Sequence, residues 1–224
     1  MQPQSHKKQR RREVWLGLIT LLAAFSYVAS LLLDFNFVSP YATLQEDLVY
    51  LSNHLQNHQI SVWAWLITAF MTFVAIPFYL LLFHRRIKVL PYLNALMLLG
   101  ASVGFLMMGL TGLGLFHDLT AAVQKGIELA DEQTRLDLLS MFNDEQFYRR
   151  VGSSFLGTFV FGLGLTKFWL RRYPLVSSIL LFLSGPTMIY FNWTDPEHII
   201  RTAAMAGIVI GMTIFCVRLI NKGM

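Results

Sequence analysis

The chain alternates long apolar runs with short polar punctuation. Stretches 14–33 and 174–191 contain no Asp, Glu, Lys or Arg, and comparable runs recur between them. A helix crosses a bilayer core of about 30 Å with roughly 20 apolar residues. The pattern therefore predicts six spans, at about 14–34, 61–83, 90–115, 151–170, 174–192 and 199–219. A basic tail, 1–13, precedes them, and 14–224 leaves no stretch for a separate soluble domain. The predicted fold is all-α, a polytopic membrane protein built as a six-helix transmembrane bundle.

Between the spans the apolar positions change character. Leu44, Leu48, Leu51 and Leu55 fall on one helical stripe within 35–60. Within 116–150, Leu119, Val123 and Ile127 make a second stripe, and Leu136, Leu139 and Phe142 a third. Apolar positions three or four apart predict short amphipathic helices, here lying on the outer membrane surface or capping the bundle. The remaining links are tight, as antiparallel neighbours require.

Charge gives these elements a direction. The 224 residues are 55% hydrophobic and only 14% charged, against roughly 25% charged in soluble domains. Thirteen of the 18 basic residues, among them Lys7, Lys8, Arg10, Arg11, Arg12, Arg85, Arg86, Arg171, Arg172 and Lys222, fall on one side with a single acid, Glu13. The other five basic residues share the opposite side with twelve acids. Short basic loops mark the cytoplasmic side, which predicts cytoplasmic N- and C-termini and an even number of spans. The run "HKKQRRR" is then explained by topology and by anionic lipid, so nucleic acid is not an expected partner. The first apolar run exceeds the 7–15 residues of a signal-peptide core, so it reads as a retained anchor despite "YVAS" at 27–30.

Inside the spans, Gly100/Gly104 and Gly207/Gly211 are GxxxG pairs. Small residues let helices approach closely in lipid, so these predict packing within the bundle; a homo-oligomer through the same faces is a second use. Pro77 and Pro186 predict kinks. Cys216 is the single cysteine, which excludes an internal disulfide and a cysteine-based zinc site.

Chemistry is sparse. Proton relays keep ionisable groups inside the membrane, whereas the mid-span polar residues here are neutral, among them Thr68, Thr72, Ser102, Thr158, Asn94 and Thr111. Asn94, Thr111 and Asp34, the last at the outer end of span one, are the candidate ligand contacts. His54 and His58 stand at i,i+4 among Asn53, Gln56 and Asn57, which reads as a solvated polar face, and no metal or cofactor is expected. Ionisable groups converge by topology only at the outer rim. There His117, Asp118, Asp195 and His198 offer the His/Asp set of a metal-dependent hydrolase or transferase acting on lipid. The segment "FNWTDPEH" (191–198) is otherwise accounted for as a helix start. Trp193 sits at the interface, Thr194 or Asp195 caps span six, Pro196 falls in its first turn, and Glu197 pairs with Arg201 at i,i+4.

The order of segments resembles a bacterial family of six-span membrane proteins classed only as a domain of unknown function. Phe161, Gly162, Leu163 and Gly164 match its glycine-rich span four, Arg171 and Pro174 its basic link, and Lys222 and Gly223 its last residues. The resemblance covers about 14–224 and implies a six-helix fold in a bacterial inner membrane, with no assigned activity. The function expected from the residues is non-enzymatic: binding or passing a hydrophobic or amphipathic small molecule, or assisting a membrane partner. The rim hydrolase or transferase is the alternative.

Overall fold

The computed structural model describes residues 3–35, 51–83, 89–126, 132–166, 174–194 and 199–221. The major described elements are all helices: α1 Pro3–Phe35, α2 Leu55–Phe83, α3 Leu90–Gln124, α4 Glu132–Leu165, α5 Leu175–Thr194 and α6 Ile199–Asn221. Each packs on its neighbours in sequence, and α1 also packs on α6. The helices thus form a closed ring in chain order. Ring closure places the start of α1 beside the end of α6, here called the terminal end; the ends of α1, α3 and α5 and the starts of α2, α4 and α6 define the distal end.

Arg10 makes that closure specific. Its guanidinium donates to the Leu219 carbonyl at 2.5 Å and to the Ile220 carbonyl. Both belong to the last turn of α6, where carbonyls lack helical partners and a cation is favoured. Glu13, buried one turn further on, stands 3.7 Å from Arg10 and accepts from Gln9. The basic tail is therefore no free appendage: α1 begins at Pro3 and runs unbroken into the membrane-length helix.

Five helices are long and apolar enough to cross a membrane: Gln9–Ser30 of α1, Leu55–Leu81 of α2, and all of α3, α5 and α6. Their outward side chains, such as Leu22, Phe25, Phe70, Phe73, Leu96 and Leu183, are exposed and apolar, the surface of a protein whose solvent is lipid. The helix expected as span four is not among the five. Its first half carries Glu132, Arg135, Asp137, Asp144, Glu145, Arg149 and Arg150, and only Val151–Leu165 is free of charge, about 22 Å at 1.5 Å per residue. It nevertheless runs the depth of the ring, touching α3 at Gly152 and α5 at Gly157 and Gly164.

The short outer helices expected within 116–150 are instead extensions of longer ones. Stripes placed in 116–150 continue α3 and α4, each of which is about 50 Å long at 34 or 35 residues. Each is longer than the hydrocarbon core of about 30 Å, the two pack as an antiparallel pair, and α3 stops at Gly126, whose φ of 80° suits glycine. Beyond the spans, Leu51, Leu115, Leu119, Ala122, Leu138 and Phe142 form a second small core. The third stripe is rotated from expectation: Leu138 and Phe142 are buried, Leu139 packs at the edge, and Leu136 is exposed. Leu44, Leu48 and Ile127 lie outside the described residues. Thr194 is the last residue of α5, its hydroxyl donating to the Tyr190 carbonyl, so it does not cap the following helix; Asp195, Pro196 and Glu197 lie outside the described residues.

Glycines set the helix spacing. A Cβ on Gly104 would fall 2.6 Å from the Gly152 Cα, so α3 and α4 touch backbone to backbone there. Gly100 faces Phe155 of α4, Gly207 faces Ser184 of α5, and Gly211 faces Leu181 of α5. Both GxxxG pairs are thus turned on helices of the same chain. Gly104→Ala is expected to force α3 from α4 and lower stability by about 1–3 kcal/mol, read as a lower unfolding midpoint in detergent. Arg10→Ala is expected to cost about 1–2 kcal/mol by leaving the α6 carbonyls without their cation. Arg10→Lys should recover only part of that loss in the same assay.

Candidate functional site

Residues facing the ring interior change size along its length. On α1, Leu16, Thr20, Ala23 and Ala24 lead to Tyr27; on α2, Thr68, Thr72 and Ala75 lead to Tyr79. Small and hydroxyl side chains at this level, on two adjacent helices, leave a cavity of ≈ 60 Å³. Leu98 of α3, Leu156 and Val160 of α4, and Ile208 and Met212 of α6 complete its wall. The lining comes mainly from α1, α2, α4 and α6, with one residue of α3 and none of α5.

Aromatic rings close both ends. Toward the distal end, Trp65 lies 5.6 Å from Tyr27 and 5.1 Å from Phe105 between ring centroids, joining α1, α2 and α3. Toward the terminal end, Tyr79 lies 4.7 Å from Phe83 and 5.5 Å from Phe159, and Phe83 faces Phe215 at 6.5 Å. The cavity therefore lies between two aromatic layers, in the terminal half of the bundle.

Polar groups around it are mostly satisfied by protein. Thr72 donates to the Thr68 carbonyl at 2.7 Å, which leaves its methyl for the cavity. Ser26 donates to the Ala64 carbonyl and stands 2.9 Å from Thr68 Oγ1, stitching α1 to α2. Asn94 Nδ2 donates to the Tyr79 hydroxyl at 2.9 Å. Asn94 stands behind Tyr79, pressed so closely on Gly162 that a Cβ there would come within 3.0 Å of Nδ2. Of the expected ligand contacts, then, Asn94 orients a cavity residue, Thr111 lies outside the lining, and the Asp34 side chain lies outside the described residues.

A polar layer occupies the distal end. His58 Nε2 of α2 lies 3.9 Å from Glu145 Oε2 of α4, and the two side chains are only 5% and 6% exposed. This corrects the reading of His58 as part of a solvated face. Asn192 donates to the Arg150 carbonyl at 2.8 Å, and the Trp193 indole donates to Ser154 Oγ at 2.8 Å, fastening α5 to α4. Burial, and then the neighbouring Arg149 charge, lower the Arg150 pKa from its ordinary value. Arg201 is buried at the start of α6.

The rim set expected from topology is described only in half. His117 is 84% exposed and pairs with its neighbour Asp118 at 3.0 Å, while Asp195 and His198 lie outside the described residues. Among the described residues no three His, Cys, Asp or Glu side chains group as metal ligands would. The His58–Glu145 pair went unread in the sequence, yet its signal was present. Leu138, Phe142 and Glu145 continue one buried stripe of α4, and an acid on such a stripe marks a polar contact between helices.

Ring, apolar exterior and membrane-length helices define a multi-pass helical membrane protein. Comparison of the chain with protein-family models, with curated proteins and with solved structures finds no match. Tyr79→Phe is expected to strip the Asn94 amide of its acceptor, at about 1–3 kcal/mol for the unpaired buried donor. Adding Asn94→Leu should bring the unfolding midpoint back toward that of the unaltered protein.

Proposed function

We propose that this protein binds a slim apolar chain, such as the tail of an amphipathic lipid-like molecule, inside the six-helix ring. The observation that carries the reading is the apolar cavity between the two aromatic layers. An apolar engineered cavity of about 150 Å³ takes up benzene. A space of ≈ 60 Å³ suits the end of an unbranched chain, and a larger guest would need the ring to part. The cavity wall carries no charged side chain, which favours binding or passage of an apolar group over acid–base chemistry at that level. No observation favours the rim hydrolase in the same way.

The topology that goes with this reading has six crossings, with α4 as the fourth and the terminal end in the cytoplasm. Its support is the excess of basic residues at that end and the contact of Arg10 with the last turn of α6, which puts both ends of the ring on one side. Exposed Trp15 and Tyr92 near the terminal end, and Trp63, Tyr190 and Trp193 near the distal end, are placed as interfacial belts would be. The setting is a plasma membrane, the bacterial inner membrane if the family resemblance is followed.

A phospholipid bearing a diazirine on its acyl chain tests the binding. Photolysis in reconstituted membranes, followed by peptide mass spectrometry, should label the cavity residues Thr72 and Tyr79 as well as the lipid-facing Phe70 and Phe73. Ala75→Phe, which fills the cavity, should reduce the first set at least about tenfold and spare the second. Labelling confined to Phe70 and Phe73 in the unaltered protein would sink the reading.

A further inference from the structure

Five seams of the ring join helices that follow one another in the chain. The sixth, between α1 and α6, is closed by contact alone. It is also the smallest of the six interfaces among the described residues. Its fastening lies at the terminal end. There Arg10 holds the last turn of α6, and a Cβ on Gly17 would fall 2.8 Å from Ile220 Cγ1 and 3.1 Å from the Cys216 carbonyl oxygen.

Seven residues further along α1, about 10 Å toward the distal end, the same faces border the cavity. Gly17, Leu21 and Ala24 stand at i, i+4 and i+7 on α1, one stripe of that helix. Ile220, Cys216 and Val209 form the matching stripe of the antiparallel α6. Ala24 and Val209 are half-buried, and both line the cavity. The space thus reaches this seam just beyond the point where Gly17 closes it. Leu21 is half-buried beside them and packs on the core without joining the lining.

The other ways in are fastened. Aromatic layers stand at both ends of the cavity. Ser26 bonds α1 to α2, Ser102 bonds α3 to the Ala69 carbonyl of α2, and Ser177 bonds α5 to the Gly211 carbonyl of α6. Glycines bring α3 onto α4 and α4 onto α5 at backbone distance.

We infer that the α1–α6 seam is a lateral portal, opening at Ala24 and Val209, through which the apolar tail of a membrane lipid enters the cavity from the bilayer core. The inference rests on the binding reading above and adds the route. Parting α1 from α6 distal to Gly17 stretches no connection between them. In lipid it forfeits packing but no hydrophobic stabilisation, because acyl chains meet the apolar side chains that separate. Arg10 and Gly17 serve as the pivot, so the distal part of the seam opens while the terminal end stays shut. Ala24, Val209 and Leu21 are apolar, which admits a hydrocarbon tail and leaves the headgroup outside.

A diazirine-bearing fatty acid, added to protein already reconstituted in membranes and photolysed at intervals, tests the route. Labelling of Thr72 and Tyr79 should rise with time in the unaltered protein. Ala24→Cys with Val209→Cys, in a Cys216→Ala background, allows the seam to be tethered by a short reducible bis-thiosulfonate. The tether should slow labelling of Thr72 and Tyr79 at least about tenfold against the same protein untethered. Phe70 and Phe73 should be labelled as before, and reduction should restore the rate. Leu21→Ala, which thins the outer lip without altering the lining, should speed labelling several-fold and leave its final level unchanged. A tethered protein labelled at the untethered rate, or a Leu21→Ala protein no faster than the unaltered one, overturns the portal and leaves the binding reading standing. Thr72 and Tyr79 unlabelled at every time in the unaltered protein would remove the binding reading and the portal with it. The Leu21 variant needs no tether, so the portal is decided even if the cysteines fail to join.

Discussion

The bundle rests on backbone contact between helices at glycine. Inside a bilayer no hydrophobic force draws one apolar helix to another, and association depends on close packing and on the few available hydrogen bonds. Gly104 against Gly152, Gly157 against Gly185, and Gly17 against the last turn of α6 supply that contact at three separate seams of the ring. Hydroxyl-to-carbonyl bonds reinforce it, from Ser102 to Ala69 and from Ser177 to Gly211, each joining neighbouring helices. The cavity exists because this tight spacing is relieved at one level, where alanines and threonines face each other without meeting.

Depth in the membrane organises the rest. From the terminal end the interior passes from the Arg10 clasp to an aromatic floor, the cavity, an aromatic roof and the His58–Glu145 layer. Charged groups thus lie at both ends of this path, and α3 and α4 then leave the ring to build a small second core. Polar chemistry is thus concentrated where water and headgroups begin. That gradient follows from the cost of burying charge in hydrocarbon, which confines ionisable groups to the ends unless they are paired.

Much of this architecture could be read from residue order. The apolar runs located the helices, and the GxxxG pairs located two seams, because both signals are local and periodic. Span four was harder: its helix is charged for nineteen residues before it turns apolar, so the amphipathic stripe and the span looked like two objects. The cavity was illegible for a different reason. Ala75 and Thr72 are ordinary span residues until Ala23, Ala24 and Thr20 of another helix are set opposite them. The His58–Glu145 meeting depends in the same way on a third party, Gly112, which is distant from both in sequence.

A ring whose contacts run between sequence neighbours has a consequence for its assembly. As the chain emerges from the N-terminus, α2 can settle on α1, α3 on α2, and so on, each helix finding its partner already in place. Only one seam joins residues from the two ends of the chain, and it is the seam that Arg10 and Gly17 make with α6. Until α6 is made, Leu16 and Thr20 of α1 face lipid, and the compartment lacks one wall. The interior is therefore enclosed in a single final event. A membrane molecule occupying that site during synthesis would be captured when the ring shuts, with no need to thread between finished helices.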